Sequence, residues 1–261
     1  MTNLYRASCV AAAALLLPVS ACGTTGPTAP AASSGSSAPV ASITVFAAAS
    51  LTEALIQIGT DFEARSGAKV TFNFGSSATL ASQLTQGAPG DVFAAASPAT
   101  MKTVTDAQGA GTPVNFVSNT LQIAVPVGNP GRVTGLKDFA DESRTIAICA
   151  PQVPCGAAAV KVFEAARITP KPDTLEADVK ATLAKVAADE VDAALVYRTD
   201  VISEPTDVEG IDFPESSQAV NNYPIAVLTG SKTPEVAQAF VDYVLSPDGQ
   251  AVLAKAGFAK P

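Results

Sequence analysis

The chain has no histidine among its 261 residues. That excludes serine–histidine–aspartate catalysis and any metal centre built on imidazole, the commonest metal ligand. Basic side chains are scarce as well: 16 Lys and Arg stand against 24 Asp and Glu. Such a balance leaves no electrostatic footprint for nucleic acid. It would also slow a small anion approaching from afar, so an anion site here must rely on local dipoles. Neither a G-x-S-x-G elbow nor a phosphate-cradling P-loop occurs. Ser66-Gly67-Ala68-Lys69 matches S-x-x-K in letters, but it falls at a helix stop rather than on a helix. The chain is not expected to be an enzyme. Its longest apolar run is shorter than the ~20 residues needed to span a bilayer.

That run is informative for another reason. Arg6 precedes it, Ser8 is the only polar residue from Ala7 to Val19, and small residues lead to Cys22. This is the form of a secretory signal cleaved at a cysteine. Leu17-Pro18-Val19-Ser20-Ala21-Cys22-Gly23 resembles the bacterial lipobox, which implies removal of residues 1–21 and a diacylglyceryl group on Cys22. The alternative is an ordinary signal peptide cut elsewhere. Residues 22–41 then form the lipidated cysteine and a linker of mostly Ser, Thr, Gly, Ala and Pro without charge. Such a segment buries too little apolar surface to offset its ordering entropy. Loss of Arg6 leaves 15 basic against 24 acidic side chains, a net −9 on the mature chain. The expected location is extracytoplasmic, anchored to the cell membrane through Cys22.

Of the four cysteines, Cys9 lies in the leader and Cys22 takes the lipid. Cys149 and Cys155 remain, close enough for a disulfide outside the cytoplasm, the alternative being a pair of buried free thiols.

From Ser42 the pattern alternates strand and helix. Ile43–Ala49 reads as a buried strand. Ser50-Leu51-Thr52-Glu53 then matches a capping box, and the helix behind it stops at Gly67. Val70–Phe74 and Asp91–Ala94 continue the series, each followed by a helix. The unit predicts a parallel sheet with helices on both faces. A second set follows, with strands at Leu121–Val125, Thr145–Ile148, Ala193–Tyr197 and Pro224–Leu228. Its helices are expected over Cys155–Ala166 and after Asp178, which reads as a cap.

Ser50 and Ser77 each follow a strand at the start of a helix. In open parallel sheets such turns gather at the carboxyl edge, where unpaired helical N–H groups receive anions. Serine is also a common N-cap that needs no ligand, so this context alone is weak.

The wording carries more. Val45-Phe46-Ala47-Ala48-Ala49-Ser50-Leu51-Thr52, Phe74-Gly75-Ser76-Ser77-Ala78-Thr79-Leu80 and Gly87-Ala88-Pro89-Gly90-Asp91-Val92-Phe93 resemble the periplasmic molybdate-binding proteins of ABC transporters. The likeness continues through Val153-Pro154-Cys155-Gly156, Ala193–Tyr197 and Tyr223–Val227, and covers residues 43–258. It implies an α/β, two-lobed periplasmic binding protein fold of type II, with the ligand in the inter-lobe cleft. The lobes it implies are 42–120 plus 227–261, and 121–226. Carried over by position, Ser50 and Ser77 would each give a backbone N–H and a hydroxyl. Cys155 and Val179 would give N–H groups, and Tyr197 its phenolic O–H. Relatives commonly have a small residue at the Cys155 position, so the chain departs there.

The resemblance further implies binding of molybdate, and of tungstate, which has nearly the same size and charge. No cofactor and no direct metal ligand is implied. The partners would be an ABC permease with its cytoplasmic ATPase, and the protein itself a monomer. A sulfate or thiosulfate receptor, with a similar fold and a smaller cage, is the alternative. An iron receptor would want a tyrosine pair; only Tyr197 and Tyr223 lie in the relevant half, with no histidine to help. Lys180 and Arg198 lie near the expected site in sequence and read equally well as solvent-facing.

Overall fold

The computed structural model describes residues 40–261. The leader, Cys22 and nearly all of the linker lie outside the described residues. β1 (Ser42–Ala48) runs into a 3-10 turn over Ala49–Leu51 and then α1 (Thr52–Ser66). Gly67 ends that helix with φ 71°, a left-handed conformation that costs least at glycine. β2 (Lys69–Gly75), α2 (Ser77–Thr85), β3 (Val92–Ala94) and α3 (Pro98–Asp106) repeat the alternation before β4 (Val114–Asn119).

At Thr120 the chain crosses into β5 (Leu121–Pro126) of a second sheet. There follow β6 (Ile146–Cys149), α4 (Pro154–Ala166), β7 (Thr174–Glu176), α5 (Val179–Ala187), β8 (Ala193–Tyr197), α6 (Arg198–Ser203) and β9 (Val208–Ile211). The chain returns to the first sheet as β10 (Asn221–Val227) and closes with α7 (Pro234–Leu245) and α8 (Pro247–Lys255).

The two sheets have the orders β2-β1-β3-β10-β4 and β7-β6-β8-β5-β9. Parallel pairing, expected throughout, is confined to β2-β1-β3 and β7-β6-β8. β10 is antiparallel to β3 and β4, and β5 is antiparallel to β8 and β9. The reason is the crossing: β5 and β10 enter their sheets from the side at which the parallel strands end. β10 also corrects an expected boundary. A second lobe running to residue 226 would contain most of this strand, yet Asn221 pairs with Asn119 and Val227 with Val92, both in the first sheet.

Each lobe has its own apolar core. Val45, Leu55, Ile58, Phe240 and Val244 pack the first; Ile123, Phe139, Val162, Val186 and Leu195 pack the second. Ala49, although it follows β1, packs into the second core, and Ala78 lies against it. The turns that flank Ser50 and Ser77 are thus pressed on the opposite lobe, and the lobes are closed on each other.

Candidate functional site

The parallel strands end at the inter-lobe face, and the helices that follow them begin there. Ser50 lies in the 3-10 turn after β1, and Ser77 is the first residue of α2. Cys155 is the second residue of α4, Val179 opens α5, and Tyr197 ends β8. The first N–H groups of a helix have no partner within it. All five residues line one small cleft, together with Ser76, Ala96, Pro154 and Asp178. All five are buried, Ser50 at 4% exposure and Tyr197 at 1%. No Lys or Arg lines the cleft.

Two of the hydroxyls accept a hydrogen bond from a neighbour. Ser77 Oγ accepts the Ala96 N–H at 3.0 Å. Tyr197 Oη accepts from Asn221 Nδ2 at 2.6 Å, across the lobes, and the same amide donates to the Ala96 carbonyl at 3.0 Å. Burial, first, and then Tyr223 and Asp200 hold the Tyr197 hydroxyl well above the ordinary tyrosine range, so it stays protonated.

Ser50 departs from expectation. The 3-10 turn delays the α-helix to Thr52, which takes Ser50 out of the N-cap position, and no side chain caps α1. Its Oγ instead shares a hydrogen bond of 2.9 Å with Tyr223 Oη. Glu53, the expected partner in the capping box, pairs with Lys180 Nζ at 2.8 Å. Lys180 is accordingly no solvent-facing bystander: it bridges the lobes, donates to Ser203 Oγ at 2.8 Å, and lies 3.8 Å from Asp200. Arg198 remains half-exposed, 3.9 Å from Asp212. Asp178 caps α5, its Oδ1 accepting from the Ala181 N–H at 2.9 Å.

Cys149 and Cys155 are joined by a disulfide, with Cα atoms 5.8 Å apart. It ties the end of β6 to the first turn of α4. The next residue must be glycine, because a Cβ on Gly156 would run into the Ala150 carbonyl. Cys149 Sγ also lies 3.3 Å from Thr182 Oγ1 of α5. The cysteine at this position thus adds a covalent tie to the turn that carries its N–H.

Among the described residues Asp200 is the one buried carboxylate. Burial raises its pKa to about 7, against the pull of Lys180 and of the Tyr197 N–H that it accepts at 3.1 Å. Among the described residues no three His, Cys, Asp or Glu side chains converge to hold a metal ion. The sequence points to no role for Ser76 or Asn221, and sets Tyr223 only beside Tyr197 as the pair an iron receptor would want. Tyr223 and Ser76 stood inside the quoted motifs, but Asn221 carried no signal.

Residues 43–259 match the family model of the bacterial extracellular solute-binding proteins. The molybdate-binding protein ModA of Mycobacterium tuberculosis is 41% identical over 251 residues, 95% of each chain. In fold, the chain is similar to the periplasmic molybdate-binding protein of Azotobacter vinelandii, with TM-score 0.70 and 21% identity over 84% of this chain and 99% of that one. The sulfate-binding protein SubI of Mycobacterium tuberculosis has TM-score 0.73 and 17% identity over 84% of this chain and 87% of that one.

Proposed function

The chain belongs to the bacterial extracellular solute-binding protein family, and on that premise we propose that it captures molybdate for delivery to an ABC-type permease. Tungstate, of nearly equal size and charge, is bound by the same groups. One observation carries this reading: neutral donors from both lobes open onto a single small cleft that no cation lines.

In the proposed site Ser50 and Ser77 donate N–H and O–H, Cys155 and Val179 donate N–H, and Tyr197 donates its phenol proton. Hydrogen bonds to a charged group contribute roughly 1.5–3 kcal/mol each. About seven of them give on the order of 10–20 kcal/mol before desolvation and closure are subtracted. A micromolar complex needs only about −8 kcal/mol. The five assigned groups would all meet the ligand as donors, which favours a fully deprotonated oxyanion over hydrogen phosphate. Sulfate matches molybdate in charge and shape and is excluded by the size of the cage. The likeness to a sulfate receptor is one of fold, whereas the 41% identity is to a molybdate receptor.

The cycle is binding and lobe closure, with no covalent step and no cofactor. The protein works as an extracytoplasmic monomer tethered by lipid on Cys22, and its partner is a permease driven by a cytoplasmic ATPase. Calorimetric titration of the purified protein with molybdate, sulfate and phosphate tests the ligand. One-to-one heat from molybdate and none from the other two is expected; heat from sulfate alone would keep the fold and replace the ligand.

A further inference from the structure

Ser76 is buried at 6% exposure, and its Oγ makes no hydrogen bond to any described residue. It is the N-cap residue of α2, yet its side chain does not cap the helix. It lines the same cleft as Ser50, Ser77 and Tyr197. Those three hydroxyls each have a partner in the protein, Tyr223, the Ala96 N–H and Asn221 respectively. Ser76 alone has none.

A buried hydroxyl without a partner is costly, and native proteins rarely keep one without a use. Capping would have been the cheap way to satisfy it, because serine is among the best N-caps. Ser76 forgoes that bond and lines the cleft beside Ser77 and Tyr197, whose hydroxyl oxygens accept from the Ala96 N–H and from Asn221. We infer that the Ser76 hydroxyl is a further donor to the bound oxyanion, beyond the five residues already assigned. The inference rests on the oxyanion reading of the cleft. It assigns α2 two successive serine side chains on one ligand, Ser77 braced by the Ala96 amide and Ser76 unbraced.

The signature is a dissociation of two readouts. A serine that held structure would lose stability on truncation. A serine that waits for a ligand would not, because its removal relieves an unsatisfied group in the free protein. Ser76→Ala in the full protein is expected to leave the thermal midpoint of the free form unchanged or slightly raised. Molybdate affinity should fall about tenfold or more, the loss typical of a hydrogen bond to an ion. Ser76→Gly, which keeps a residue acceptable at an N-cap, should reproduce both results.

Ser50→Ala and Ser77→Ala run beside them, each expected to weaken binding at least tenfold. Unchanged affinity in both Ser76 variants, with loss in the other two, would overturn this inference and leave the site standing. A lower free-form midpoint in both Ser76 variants would make the residue structural and also overturn it. Unchanged affinity in all four variants would instead remove the oxyanion site itself.

Discussion

Lys180 Nζ lies 2.8 Å from Glu53 Oε1, joining α5 of the second lobe to α1 of the first. A contact between the lobes favours the closed arrangement in which it is made. Its side chains are 24% and 50% exposed, which limits its strength through solvent screening. Glu53→Gln removes the inter-lobe pair while Lys180 keeps Ser203 and Asp200. Molybdate affinity is expected to fall by on the order of fivefold at low salt. The difference from wild type should shrink at high salt, as titrations at two ionic strengths would reveal.

Tyr223 positions a neighbour. Its Oη meets Ser50 Oγ at 2.9 Å, and its ring packs edge-on against Phe258 with centroids 5.5 Å apart. Tyr223→Phe keeps the ring and frees the Ser50 hydroxyl. Binding should weaken roughly three- to tenfold with little change in thermal midpoint. A large loss of stability would show that the hydroxyl serves the core instead.

The pH dependence of stability follows from Asp200. Burial raises its folded pKa to about 7, above the ~3.9 of an unfolded aspartate. Lys180 opposes the shift, while Glu53 and Asp178 add to it. Between those values the folded state holds a proton that the unfolded chain has released. The stabilisation is thus complete below about pH 4 and is lost as pH rises through about 7. Asp200→Asn should flatten this part of the midpoint-against-pH curve. A wild-type slope that survives the substitution would assign it to another group.

Reduction should be felt at the site. The Cys149–Cys155 bridge closes a short loop, for which chain entropy gives about 2 kcal/mol. For a domain of this size that is a fall of roughly 4–8 °C in thermal midpoint. The bridge also holds the turn bearing the Cys155 N–H, so molybdate affinity should drop with it. Titration and melting with and without reductant, beside a Cys149→Ser/Cys155→Ser double variant, would check both effects.

Much of this was legible locally. β8 occupies the expected Ala193–Tyr197, and α5 begins directly after Asp178, its expected cap. Periodicity and caps act within a few residues, and the sequence displays them directly. What it hid depends on partners far along the chain. Tyr223 is 173 residues from the Ser50 hydroxyl it holds, and a local capping box was the natural expectation there. Asn221 reaches Tyr197 only because β10 returns to the first sheet, and strand letters do not say which sheet a strand joins. The motifs of the resemblance pointed to the five proposed ligand residues, but could not reveal that Ser76 lacks a partner.

The proposed site is tested most directly by a crystal structure of the molybdate complex with anomalous data collected at the molybdenum absorption edge. One strong peak is expected in the inter-lobe cleft, ringed by Ser50, Ser77, Cys155, Val179 and Tyr197. A peak elsewhere, or one coordinated by acidic or basic side chains, would contradict it.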